Sequence, residues 1–251
     1  MGEIFFRRGG KGRPIVLIHG FCESHEIWNP IFASLTNHFE VFAIDLPGFG
    51  RSVLPPSFSI ADISKTVLDW MQEHNVRRPI VVGHSLGGYV TLGMAQLAAD
   101  ALGGICLFHS TPQGDSEERK VNRNRVMAFV EEHGVGPFVD TFVPGLFLNK
   151  KHPAIADVDA IARKTTAATL LAYTEAMRDR PSTVDVFQRF SRPILIIAGR
   201  GDTIIPVDSV QELGRLPIDC KVEVLEEAAH MAMFEQPEKA TEAIVKFIEG
   251  V

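Results

Sequence analysis

Gly83-His84-Ser85-Leu86-Gly87-Gly88 stands directly after the apolar run 79–82 and directly before a helix-prone segment reaching Ala99. This is a G-x-S-x-G pattern, and its spacing has a physical reason. A serine on a tight strand-to-helix turn needs neighbours without side chains, which Gly83 and Gly87 supply. Such a turn lifts the Ser85 hydroxyl clear of the sheet and aims the first N–H groups of the next helix at a substrate oxygen. A hydroxyl is a weak nucleophile until a base, itself oriented by a carboxylate, takes its proton. Asp202 follows the run 194–197 in Ala198-Gly199-Arg200-Gly201-Asp202, and His230 follows the run 222–225 in Glu227-Ala228-Ala229-His230-Met231. Singly, His230 reads as a surface-loop histidine and Asp202 as an Asx turn or helix cap. In the chain order Ser85, Asp202, His230, each one strand-end from the turn, they make one candidate set for acyl transfer. Arg200-Gly201-Asp202 also spells a cell-adhesion tripeptide, which has little support in a cysteine-poor chain with no signal segment at its start.

A third element is His19-Gly20-Phe21-Cys22, immediately after the run 15–18. Gly20 allows close backbone approach, so the Phe21 N–H is expected beside the Leu86 N–H as a second donor to a developing oxyanion. The Phe21 ring would line an acyl pocket. His19 is expected to bond backbone beneath the site, and Cys22 to act as a small hydrophobe with an inert thiol.

These residues must be positioned by a scaffold. The runs 15–18, 41–44, 80–82, 105–108 and 194–197 are apolar throughout, and the stretch 222–225 follows in the same style, as suits a parallel sheet covered on both faces. Between them, Ile27, Ile31 and Leu35, with Trp28 and Phe32 beside them, form one helical stripe. Ile60, Ile63, Val67 and Met71 form another after a Ser59/Asp62 capping box. Pro237 opens a last helix with Ala240, Ile244, Phe247 and Ile248 on its buried face. The alternation predicts a doubly wound, mostly parallel α/β sheet. It breaks at 112–185, where charged helical segments (117–132 and 157–178) flank an aromatic stretch, 138–148. That segment is expected to be a helical cap inserted into a core domain made of 1–111 and 186–251. Phe138, Phe142 and Leu146 fall four apart, although Pro144-Gly145 argues against one helix through all three. With Phe21, Trp28 and Met231 they are the expected pocket lining, suited to short or medium acyl chains.

The 251 residues suit one domain with an insertion, and a composition 45% hydrophobic and 22% charged supports a large core. Asp and Glu outnumber Lys and Arg, 31 to 25, which argues against nucleic-acid binding and gives no reason for an anionic membrane partner. Cys22, Cys106 and Cys220 are widely spaced, so neither a disulfide framework nor a zinc site is expected, and reduced thiols in the cytoplasm are. No apolar run approaches the roughly 20 residues that span a bilayer. Gly9-Gly10-Lys11-Gly12 lacks phosphate-loop spacing, and no cluster has metal-ligand spacing. No cofactor or metal is expected. The expected partners are a small acyl substrate and water, acting on a monomer or homodimer.

Taken together, His19-Gly20-Phe21, Asp45-Leu46-Pro47-Gly48-Phe49-Gly50-Arg51-Ser52, Gly83–Gly88, Gly199–Asp202 and His230 resemble the α/β-hydrolase superfamily from about Ile15 to Ile248. The likeness is strongest to small bacterial esterase-type members with a helical cap. It implies Ser85 as nucleophile, His230 as base, Asp202 as its partner, and a structural loop at 45–52 that Asp45 and Arg51 help to hold. Epoxide hydrolases and haloalkane dehalogenases of this fold carry a carboxylate at the elbow, so Ser85 argues against both. Only one strand candidate (3–7) precedes the strand that leads into His19, where the full family sheet has two, so seven strands are expected, or a weakly marked eighth. The resemblance points to a carboxylic ester hydrolase. A lactone, thioester or carbon–carbon bond hydrolase, a hydrolase-fold lyase, or a ligand receptor with an idle triad would share these residues.

Overall fold

A strand that is apolar at every position must be covered on both faces, and the runs fold accordingly. The computed structural model describes residues 3–215 and 219–251. Among the described residues one sheet holds seven strands: β1 (Phe6–Gly9), β2 (Pro14–Ile18), β3 (Glu40–Ile44), β4 (Ile80–His84), β5 (Gly104–Phe108), β6 (Ile194–Gly199) and β7 (Cys220–Leu225). Their spatial order is β1-β3-β2-β4-β5-β6-β7, with β1 antiparallel to β3 and all other pairs parallel. The fold is thus the expected doubly wound α/β sheet. The chain runs from β2 outward to β3, then crosses back to lay β4 on the other side of β2. The carboxyl ends of β2 and β4 therefore flank the topological switch point, where open sheets of this kind hold ligands.

Strands β4, β5 and β6 are buried along their whole length, whereas the edge strand β7 alternates, with Lys221 and Glu223 exposed. The strand expected at 3–7 starts later, at Phe6, in register with Ile44. The helices are α1 (Asn29–Thr36), α2 (Ile60–Glu73), α3 (Leu86–Ala98), α4 (Glu117–His133), α5 (Val135–Gly145), α6 (Ile155–Ala162), α7 (Ala167–Asp179), α8 (Val184–Arg189), α9 (Val207–Gly214), α10 (Ala232–Glu235) and α11 (Pro237–Glu249). The Ser59 hydroxyl accepts from the Asp62 N–H, and the Asp62 carboxylate from the Ser59 N–H, closing the expected capping box on α2. Helix α11 buries Ala240, Ile244, Phe247 and Ile248 as expected.

Two local expectations are corrected. Ile27 and Trp28 lie in a 3₁₀ turn, His25–Trp28, and not on the stripe of α1. Pro30 sits in the first turn of that helix, where its missing N–H costs nothing, so the α-helix begins only there. Helix α5 does run through Phe138 and Phe142 as far as Gly145, because Pro144 falls in its last turn and Leu146 is its C-cap. Helices α4 to α8 fill the chain between β5 and β6. Tyr173 of α7 donates its hydroxyl to Pro47 O at 2.8 Å, and Thr169 Oγ1 donates to Gly48 O at 3.0 Å, which fastens this layer to the 45–52 loop.

Candidate active site

Ser85 is held at φ +49° and ψ −112°, a backbone state that L residues rarely adopt. The glycines around it explain how the turn is tolerated. A Cβ on Gly83 would stand 2.3 Å from Gly87 O, and one on Gly87 would stand 2.3 Å from Ile18 O. Ser85 is the N-cap of α3 but its hydroxyl caps nothing, so Oγ is not spent on the helix. Leu86 opens that helix, where the first N–H groups lack intrahelical acceptors. The Phe21 N–H, on the loop after β2, likewise meets no acceptor among the described residues.

Asp202 follows β6 and His230 follows β7. The His230 Nδ1–H donates to Asp202 Oδ2 at 2.7 Å, and both side chains are buried. Asp202 Oδ1 accepts the N–H groups of Ile204 (2.8 Å) and Ile205 (3.0 Å). Burial alone would raise this carboxyl, but the charge of the facing His230 and the hydrogen bonds from His109 and His230 outweigh it and hold Asp202 far below the ordinary carboxylate range. The His230 loop is pinned by its own N–H, which donates to Leu146 O at 2.9 Å. No hydrogen bond joins Ser85 Oγ to another described residue; such bonds commonly close only around substrate.

Beneath these loops lies a buried polar layer of which sequence reasoning found His19 and Asp45. Its Nε2 accepts the Leu46 N–H at 2.9 Å, and its Nδ1 faces Gly20 O at 2.8 Å, so the proton is on Nδ1. Burial lowers His19 and keeps it neutral. Asp45 accepts the N–H groups of His25 (2.7 Å) and Arg51 (2.9 Å), so Arg51 holds the 45–52 loop by its backbone while its guanidinium stacks on Phe5.

Glu23 and His109 were missed. Glu23 Oε2 accepts from the Gly20 N–H at 2.5 Å and from His84 Nδ1 at 2.9 Å, and His84 Nε2 faces His230 O at 2.9 Å. Both His84 nitrogens face acceptors, so the ring is an imidazolium. Burial opposes that charge, but Glu23 and the His230 carbonyl raise His84 nonetheless. His109 follows β5 at φ +50°, with Nδ1 lying 3.1 Å from Asp202 Oδ2 and 3.2 Å from Gly199 N. One nitrogen cannot both donate to the carboxylate and accept from Gly199; the carboxylate decides, and Nδ1 carries the proton. Burial then pushes His109 down to about 4, leaving it neutral with Nε2 unpartnered. The signal for His109 was its place, directly after an apolar run as His19 is; Glu23 left none.

The donor atoms of His109, Asp202 and His230 lie within 4.8 Å of one another, a grouping the sequence spacing hid. Both imidazoles turn an Nδ1 proton toward the one carboxylate, so the three are organised by hydrogen bonds, and ligation would have to displace those protons.

A cavity of about 450 Å³ opens beside this layer, walled by Phe21, Phe138, Phe142 and Tyr89, with Thr203 and Ile204 from the Asp202 loop. Phe138 and Phe142 stack 4.9 Å apart, and both meet Phe21 edge-on. Trp28 is fully buried between His84 and Phe108, so it supports the elbow from within the core. Leu146 and Met231 are also buried and line none of this cavity. The thiol of Cys22 is buried and pushed far up, as an inert packing group would be.

Residues 15–244 match the Alpha/beta hydrolase family. The chain belongs to that family. Among curated relatives it is similar to a pimeloyl-[acyl-carrier protein] methyl ester esterase of Vibrio cholerae, 24% identical over 97% of both chains. Among solved structures it superposes on an esterase from Thermogutta terrifontis with a TM-score of 0.94 and 27% identity, covering 99% of this chain and 94% of that one. An enol-lactonase from Burkholderia xenovorans LB400 shares the fold at a TM-score of 0.91 and 22% identity, over 99% and 97% of the two chains. Family membership and these esterase-type relatives support a hydrolase. Among the described residues no helix is long and apolar enough to cross a membrane.

Proposed function

We propose that this family member is a serine hydrolase that cleaves a carboxylic ester through an acyl-enzyme, with Ser85, His230 and Asp202 as its triad. The observation that carries the reading is the His230–Asp202 hydrogen bond of 2.7 Å on loops neighbouring a serine in a strained, glycine-walled turn. His230 takes the Ser85 proton through Nε2 as the oxygen attacks the acyl carbon, and Asp202 keeps the other proton on Nδ1. The Phe21 and Leu86 N–H groups, free of protein acceptors, hold the oxyanion. His230 then protonates the leaving alcohol and activates the water that releases the acid. Helices α4 to α8 serve as the cap, and Phe138 and Phe142 shape an acyl pocket of modest size. The esterase names carried by relatives favour an ester as the substrate.

Ser85→Ala is the test. Removing a triad member commonly costs three or more powers of ten, so turnover of p-nitrophenyl butyrate and labelling by a fluorophosphonate should both vanish. Retention of a tenth of the native rate refutes the nucleophile assignment.

A further inference from the structure

The wall of the cavity beside Phe21 carries more cationic charge than its own carboxylates neutralise. Asp115, buried at the start of the helical layer, accepts from Arg123 Nε at 3.0 Å and from Arg180 Nη1 at 2.8 Å, so one carboxylate serves two guanidiniums. Arg180 lies 3.7 Å from the ring centre of Tyr89, itself part of the cavity wall. Arg119 stands one helical turn before Arg123 and also lines the cavity. Its Nη2 donates to Ile204 O at 2.5 Å, yet no carboxylate among the described residues lies within ion-pair distance of it. Asn122 reaches the same cavity, and its amide bonds nothing among the described residues. Of the two guanidiniums in the cavity wall, Arg123 has Asp115 as its partner and Arg119 has no carboxylate, which leaves one unpaired positive charge beside the aromatic rings. A guanidinium with spare donors matches a carboxylate in shape as well as sign, and partial burial strengthens the attraction.

We propose that Arg119 binds a carboxylate at the end of the substrate remote from the scissile carbonyl, so that the enzyme selects monoesters of dicarboxylic acids. This rests on the serine-hydrolase reading and adds the substrate class to it. The aromatic wall takes the methylene chain, Arg119 takes the free acid, and the ester carbonyl is left at Ser85.

The test compares monomethyl adipate with its uncharged isostere, methyl 6-methylheptanoate, in native enzyme, Arg119→Gln and Asn122→Asp. A charge-assisted contact is expected to favour the charged ester about tenfold or more in kcat/KM, mainly through KM. Arg119→Gln should bring the ratio near one. Asn122→Asp should also lower it, by setting a competing carboxylate beside Arg119 without breaking the bond to Ile204, and it decides the matter if the first variant does not fold. A native ratio of one, or a ratio that survives Arg119→Gln, overturns the inference while the hydrolase reading stands. Failure to cleave either ester overturns both.

Discussion

Glu23 and His84 face each other at 2.9 Å between Oε2 and Nδ1, and both are buried. Through this pair three loops become one object. Glu23 also holds the Gly20 N–H beside Phe21, His84 adjoins Ser85 in sequence, and His84 Nε2 reaches the His230 carbonyl. Burial would raise Glu23, but the imidazolium next to it wins and keeps it below its ordinary range. Removing one member of a buried pair strands the other, which commonly costs about 3–5 kcal/mol. Glu23→Gln should therefore lower unfolding stability in urea by about 3 kcal/mol and reduce kcat with it, since three loops lose their common anchor. A loss below about 1 kcal/mol would mean the pair does not fasten them.

The neutral His109 gives a pH dependence whose sign follows from its depressed value. An unfolded histidine takes its proton near 6.5, whereas the folded ring resists until about 4. Above 6.5 the two states bind equally and His109 adds no slope. As the pH falls from 6.5 to about 4 the unfolded chain binds the extra proton, so stability drops across that window. The full loss is about 3 kcal/mol. His109→Gln should be less stable than native at pH 7, where the bond to Asp202 is missed, and should lose less on going to pH 4.5. Urea unfolding at the two pH values measures this; parallel losses in both proteins would refute it.

What was legible in the sequence were features with a period or a fixed local spacing. The runs of β2 to β6, the stripes of α2 and α11, the Ser59/Asp62 box and the glycines around Ser85 all declare themselves within a few positions. Glu23 and His109 do not, because their partners lie 61 and 93 positions away and no local pattern records such a meeting. Trp28 and Ile27 were assigned to a helical stripe whose period is real but whose helix starts later, at Asn29, with Pro30 in its first turn. The edge strand β7 was grouped with the fully covered runs, although an edge needs cover on fewer sides and Lys221 and Glu223 use that freedom. The unpaired charge of Arg119 was invisible for the same reason as Glu23: a cation's surplus shows only once its neighbours are known.

The seat of the elbow helix gives a stability test separate from chemistry. Gly93 lies where α3 crosses α2, and a Cβ there would stand 2.2 Å from Ser64 Oγ and 3.0 Å from Ser64 Cβ. Ser64 has little room to turn away, since its hydroxyl reaches Ile60 O at 2.8 Å and Val90 O at 2.9 Å. Alanine would ordinarily gain about 1 kcal/mol over glycine inside a helix. Here the clash forces the two helices apart, and overpacking of this kind costs about 1–3 kcal/mol. Gly93→Ala should therefore lower Tm in spite of its better helix propensity. Ser64→Ala deletes the nearest atom but leaves the Cβ contact, so the double variant should recover part of the loss. The two changes must then be non-additive, because they act on one contact. Additive Tm shifts, or a Gly93→Ala protein as stable as native, would show that α3 is not held against α2 at this point.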